Sequence, residues 1–357
     1  MKTLDELLRD AMKAEGSDVF IIPFSPVSTK AHGKMVRISE EKVTLPEIQT
    51  LIDRAYELAG RNKHNLERDG DDDFSFAIRD VSRFRCNVYR QRGTLAAVLR
   101  IVAFGLPDPV QRHIPDLVMK LADLRSGMVL VTGPAGTGKS TTMACILDRI
   151  NQSRSGHIIT IEDPIEYLHP HKQCLVSQRE VPEDAKSFAR AVRAALREAP
   201  DVVMLGEMRD IETISTAITA AETGHLLFST LHTLGAAKTI DRVIDAFPAE
   251  QQNQVRTQLS MVLKAVVSQR LLQGTDGRLY PVFEVMTVNP AIQNLIREGK
   301  THQIDNAISG AGSEMLSMDS ELARLAREEK ITKEMARAYA LHPETMERQM
   351  RFGTMGR

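Results

Sequence analysis

The chain has 357 residues, enough for one to three domains with real cores, and its 42% apolar and 26% charged residues are ordinary for a soluble globular protein. A formal net charge of -1, 4% aromatic residues and no tryptophan leave neither a chain-wide basic footprint nor a stacking platform, which argues against a nucleic-acid partner. Cys86, Cys145 and Cys174 are scattered without a C-x-x-C pair, against a disulfide framework or structural zinc, and no apolar run approaches the ~18 residues that would span a bilayer. The expectation is a cytoplasmic chain, peripheral to a membrane only through a partner.

Residues 1–104 read as a small α+β domain. Leu4, Leu7, Leu8 and Met12 mark an amphipathic first helix, and residues 18–24 a short apolar strand. Thr44-Leu45-Pro46-Glu47 is a capping box with proline in the first turn, opening a helix to about residue 59 on Ile48, Leu51, Ile52 and Ala55. The acidic stretch Asp69, Asp71, Asp72 and Asp73 reads as a solvated turn. Strands follow at 74–78, 83–89 and 95–102. In the middle one, Phe84, Cys86 and Val88 alternate with Arg83, Arg85, Asn87 and Tyr89, so both arginines share a face. With Arg92 and Arg100 nearby, that face is either solvated or supplies arginines to phosphates held by a neighbouring subunit.

Residues 105–115, with Pro107, Pro109 and Pro115, read as a stiff linker. A core of alternating strands and helices is expected over 116–289, as in a parallel sheet with crossovers. Its strands are placed at 128–132, 158–161, 202–205 and 226–229, and its helices at 188–198, 211–221 and 239–247. A long helix over 250–272 and a hairpin turning at Thr275-Asp276-Gly277 complete it. Residues 290–357 read as helical only, with segments at 291–298, 318–329 and 333–341, and fraying expected over 352–357.

The stretch that carries chemistry is Gly133-Pro134-Ala135-Gly136-Thr137-Gly138-Lys139-Ser140, which fits G-x-x-x-x-G-K-[ST] between a strand and a helix beginning near Thr141. Glycines there let backbone N–H groups face oxyanions, and the helix N-terminus adds positive potential. Lys139 then reaches the β- and γ-phosphates of ATP, and the Ser140 hydroxyl ligates Mg²⁺. Acids follow at two later strand ends, where such sheets place ligands: Glu162-Asp163-Pro164-Ile165-Glu166, and Gly206-Glu207 after Val202-Val203-Met204-Leu205. His225 and His232 bracket another strand. On residue chemistry alone, a capping or packed role for them competes with sensing the γ-phosphate.

Taken together, these motifs resemble one family, the secretion and type IV pilus motor ATPases. His157 to Tyr167 resembles its aspartate box, and Gly206-Glu207-Met208-Arg209-Asp210 its Walker B. Thr223-Gly224-His225 with Thr230-Leu231-His232-Thr233 resembles its histidine box. Arg83-Phe84-Arg85-Cys86-Asn87 with Gln91-Arg92-Gly93 resembles the segment that supplies arginines in trans. The resemblance implies a PAS-like N-terminal domain, a RecA-like α/β core and a homohexamer. It further implies Glu166 as general base or water-polarising acid, and Glu207 as organiser of Mg²⁺ through water. It makes His225 and His232 couplers of the γ-phosphate to movement, against the capping reading. Partners implied are an inner-membrane pilus platform protein and other pilus ATPases. The absence of a tetracysteine element, and the helix Ala291-Ile292-Gln293-Asn294-Leu295-Ile296-Arg297-Glu298, favour the retraction subtype, although Gln293 replaces an arginine there. Alternatives are an extension or type II secretion motor, an accessory retraction paralogue, or a non-hydrolysing nucleotide-switch module.

Overall fold

The computed structural model describes residues 2–79, 81–102 and 105–352. The fraying expected at the extreme C-terminus falls almost wholly outside them. The chain divides into two compact units, Met1–Gly105 with Glu166–Leu168, and Leu106–Ile165 with His169–Arg357.

The first unit is built on a six-stranded antiparallel sheet. Its elements are α1 (Leu4–Lys13), β1 (Gly16–Ile21), β2 (Pro26–Ala31), β3 (Lys34–Lys42), α2 (Leu45–Ala59), α3 (His64–Asp69), β4 (Asp71–Ile78), β5 (Ser82–Gln91) and β6 (Thr94–Ile101), in sheet order β3-β2-β1-β6-β5-β4. Both long helices open on capping boxes. The Thr3 N–H donates to Glu6 at 2.8 Å and the Thr44 N–H to Glu47 at 2.7 Å, satisfying groups the helix itself cannot. Leu4, Leu7, Leu8, Ile48, Leu51 and Ile52 bury against Phe74, Phe76, Phe84, Cys86 and Val88, so the period-two reading of β5 holds.

Two features of this unit differ from the sequence expectation. The β2–β3 hairpin was not foreseen, because β3 is an edge strand with no buried residue and so has no apolar alternation to read. The acidic stretch is not a solvated turn throughout. Asp71–Asp73 begin β4, and Asp72 is buried, accepting from Arg61 at 3.0 Å, the Tyr56 hydroxyl at 3.1 Å and Asn65 at 3.3 Å. A buried carboxylate needs such a set of donors, and these come from α2 and the residues after it, too far along the chain to be read locally.

The second unit is α/β. Its elements are α4 (Asp116–Met119), β7 (Gly127–Thr132), α5 (Lys139–Ser153), β8 (Gly156–Glu162), β9 (Cys174–Glu180), α6 (Phe188–Ala195), β10 (Val202–Leu205), α7 (Ile211–Glu222), β11 (Leu226–Leu231), α8 (Ala236–Asp245), α9 (Ala249–Val262), β12 (Leu263–Gln273) and β13 (Leu279–Thr287). They continue into α10 (Pro290–Arg297), α11 (Ile304–Gly310), α12 (Met318–Arg327), α13 (Lys333–Tyr339) and α14 (Pro343–Phe352). The sheet order is β13-β12-β7-β11-β10-β8-β9, parallel except that β13 runs against β12. Alternate residues of β7 feed two cores. Met128 and Leu130 pack with α6 to α10, while Val129 and Val131 pack with α4 and α5. Coverage on both faces is why the strand sequences are continuously apolar. The C-terminal helices α12 to α14 form a smaller core with Leu272, Tyr280 and Val282.

The helix expected over 250–272 is corrected. It stops at Val262, and Leu263–Gln273 is a strand paired with β7, Val266 opposite Leu130. Leu263, Ala265, Val266, Val267 and Leu272 are buried. Such a run satisfies either period, and only the vacant place beside β7 selects the strand.

Candidate nucleotide site

The glycine-rich segment joins β7 to α5 as a loop whose shape is set by Gly133 at φ 142°, Gly136 at 76° and Gly138 at 89°. A side chain is strained at such φ values, and at Gly133 a Cβ would also come within 2.2 Å of the Gln269 carbonyl oxygen. Lys139, Ser140 and Thr141 form the first turn of α5, and the Thr142 N–H is the first to meet an in-helix carbonyl, that of Gly138 at 3.0 Å. First-turn N–H groups have no carbonyl of their own helix to bond, which makes the joint a natural anion seat. Lys139 is buried, and its Nζ donates to the carbonyls of Gly133 at 2.8 Å and Pro134 at 3.0 Å. Thr137 closes the loop by donating its hydroxyl to Pro134 at 2.9 Å, while Pro134, Ala135 and Gly136 are exposed at its crest. A buried ammonium in a cradle of backbone donors fits the phosphates of a nucleotide, with Ser140, half-buried beside it, carrying a hydroxyl suited to a hard cation.

Strand β11 lies next to β7 and β10 next to β11, so the residues following all three open on one sheet edge. Glu207 follows β10, about 10 Å from the β7 axis at the usual strand spacing. Its carboxylate is largely buried and pairs with Arg209 at 2.6 Å and with His232 Nε2 at 3.5 Å, His232 following directly on β11. The Thr230 hydroxyl donates to the Gly206 carbonyl at 2.6 Å, locking the turn that aims Glu207. Glu162, at the end of β8, is buried and accepts from the Thr160 hydroxyl at 2.6 Å and Gln178 at 3.2 Å. Glu166 is exposed and falls in the 166–168 segment that belongs to the first unit.

His225 is not brought to this edge. It precedes β11 at the opposite end of a six-residue strand, roughly 20 Å away at the usual rise. Its Nδ1 faces the Ala220 carbonyl and the Thr223 hydroxyl, both at 3.1 Å, and its own carbonyl accepts from Gly127 at 3.0 Å. Within one subunit it closes the α7–β11 turn, and the capping reading is the one the geometry supports. The two arginines belong to the first unit. Arg85 is mid-strand in β5, its Nε 3.9 Å from Asp73, whereas Arg92 is exposed at the β5–β6 turn with φ 47°.

On the other side of the loop lies a cavity of about 330 Å³, lined by Gln111, His113, Ile114, Thr141, Leu271 and Pro281 among others. Residues expected to act as a linker therefore contribute a wall beside the phosphate loop. Sequence reasoning also passed over Gln269, a buried amide on β12 that reaches the loop. No local motif contains it, and only the pairing of β12 with β7 reveals it. A larger groove of about 800 Å³ elsewhere on this unit is lined by Arg179, Lys186, Arg190, Arg193 and Arg197.

Comparison with known proteins agrees with this architecture. The family model for the type II/IV secretion system protein matches residues 1–355. The type IV pilus retractation ATPase PilT of Pseudomonas aeruginosa is 42% identical over 343 residues, covering 96% of this chain and 99% of that protein. A twitching motility protein of Neisseria gonorrhoeae is 43% identical over 344 residues, covering 95% and 91%. The crystal structure of the pilus retraction motor PilT with bound ADP aligns at a TM-score of 0.89 and 43% identity, over 98% of this chain and 100% of that one. A phosphate loop on an α/β sheet, acids at the neighbouring strand ends and a family match along almost the whole length lead to one conclusion: the chain belongs to the type II/IV secretion system protein family.

Proposed function

We propose that the chain is the ATP-hydrolysing subunit of a hexameric motor that powers type IV pilus retraction. The observation that carries this reading is the convergence of the glycine-rich loop, His232 and Glu207 on one edge of the sheet. Relatives named as a retraction ATPase and a twitching motility protein, similar over nearly the whole chain, supply the biological direction.

In this reading, first-turn N–H groups of α5 and Lys139 bind the β- and γ-phosphates of ATP, and the cavity beside Ile114 and Leu271 receives the base. Ser140 would hold Mg²⁺ and Glu207 would help organise it, and the cation would supply charge neutralisation at the phosphates. Glu166 orients the attacking water. His232, 3.5 Å from Glu207, links the γ-phosphate position to β11. Arg85 or Arg92 completes the site of the next subunit around the ring, so that binding closes one subunit on its neighbour and hydrolysis releases it. The partner that receives the motion is a pilus platform protein at the inner face of the membrane.

Two experiments test this. Purified protein should release phosphate from ATP at steady state, and mixing an inactive Arg85→Ala or Arg92→Ala subunit with Lys139→Ala should partly restore turnover. Deleting the gene in its own host should leave cells with excess pili and no twitching. Bald cells would instead indicate an extension motor, and no phosphate release would indicate a nucleotide switch.

A further inference from the structure

Gln269 sits within β12, 3% exposed, on a strand 132 residues from the loop it touches. Its side-chain amide is directed at the phosphate loop from both ends. Nε2 donates to the Thr137 carbonyl at 2.7 Å, and Oε1 accepts the Thr142 hydroxyl at 2.8 Å. The orientation of the amide follows from its partners, because a carbonyl can only accept and so must face the nitrogen. One bond holds the residue before Gly138 and the other the fourth residue of α5, so a single side chain spans the joint between loop and helix. The same residue also restricts what the loop can contain. A Cβ at Gly138 would come within 3.0 Å of Nε2, and at Gly133 within 2.2 Å of the Gln269 carbonyl oxygen.

Converging N–H dipoles repel one another until an anion arrives, so a phosphate loop without one needs an external tether to keep that shape. We propose that Gln269 is that tether, a positioning residue that holds the loop in its anion-binding shape without touching phosphate. This rests on the nucleotide reading above and adds a residue outside the loop's own sequence. The physical consequence is that loss of the amide should weaken nucleotide affinity more than fold stability. The Thr137 carbonyl and Thr142 hydroxyl are left without their partner, and the loop must be reordered on binding.

The test uses the full chain, with ADP affinity by calorimetry, KM and kcat for ATP, and thermal melting without nucleotide. Gln269→Leu should raise the ADP Kd and the ATP KM about tenfold, the effect of unpairing buried polar groups, while kcat at saturation falls less. Gln269→Glu, which sets a carboxylate oxygen against the Thr137 carbonyl, should be worse at pH 8 and recover as acid restores an O–H donor. Thr142→Val should give a smaller rise, and Thr142→Ser should return the parent values. Folded Gln269→Leu protein with the parent Kd and KM would overturn the proposal. If both Gln269 variants fail to fold, the Thr142 pair decides, and equal Kd for Val and Ser at that position would overturn it. A parent chain that binds no ADP and releases no phosphate would overturn the nucleotide reading instead.

Discussion

The two ends of the parallel sheet carry similar side chains and use them differently. At the end where β8, β10 and β11 start, polar groups are consumed locally. The Asp201 carboxylate accepts the His157 N–H at 2.8 Å, its N–H donates to the His157 carbonyl at 2.9 Å, and His225 is tied to Ala220 and Gly127. At the end where β7, β10 and β11 finish, Glu207 and His232 meet at 3.5 Å, and α5 presents its first turn, with Lys139, after β7. Strand polarity explains the difference. The crossover helix leaves the finishing end, so its N-terminal dipole and the N–H groups with no carbonyl of their own helix gather there. Residue type therefore says less than which end of the strand holds it.

Substitutions at the two ends should separate sharply. Lys139→Ala, which removes the buried cation of the loop, should lower phosphate release by about a hundred- to thousandfold. An equal effect from Asp201→Asn at the opposite end would erase the contrast. Glu207→Gln keeps shape but removes charge, and should cut kcat by roughly a hundredfold with ADP affinity nearly unchanged. Magnesium titration should shift in the same variant, and a normal titration would detach Glu207 from the cation. The histidines give the cleanest comparison. His232→Ala should lower kcat about tenfold or more, whereas His225→Ala should leave turnover within about twofold and cost about 1 kcal/mol of stability from the lost Ala220 bond. Equal kinetic defects in the two would mean that strand end does not decide function.

The smallest effect concerns a carboxyl near the finishing end that serves architecture. Glu284 on β13 is buried, accepts the Ala236 N–H at 2.8 Å at the start of α8, and is pushed up to about 7 by loss of solvent. Its folded-state value lies above that of the unfolded chain, so the neutral form is the one the fold favours. That contribution is complete at pH values below the ordinary carboxyl range, and it declines as pH rises through about 7. Melting temperature should fall modestly between about pH 5 and 7 and level off above, and Glu284→Gln should flatten that slope. A variant with the parent's slope would show that another group carries it.

Legibility in the sequence followed local constraint. The capping box at Thr44, the alternation of β5 and the strand–loop–helix around Lys139 were readable because neighbours within a few residues enforce them. The strand β3 was not, since an exposed edge needs no apolar pattern. Asp72 looked solvated because the donors that hold it come from α2 and beyond. Leu263 to Leu272 looked helical because a doubly buried run fits either period.

By itself the sequence determined the phosphate loop, the acids that follow later strands and the family to which they belong, because those depend on residue type at short spacing. The tertiary structure alone decided that His232 faces Glu207 while His225 closes a turn, and that β12 brings Gln269 to the loop. Those relations arise from strand order and direction, which join residues far apart in the chain.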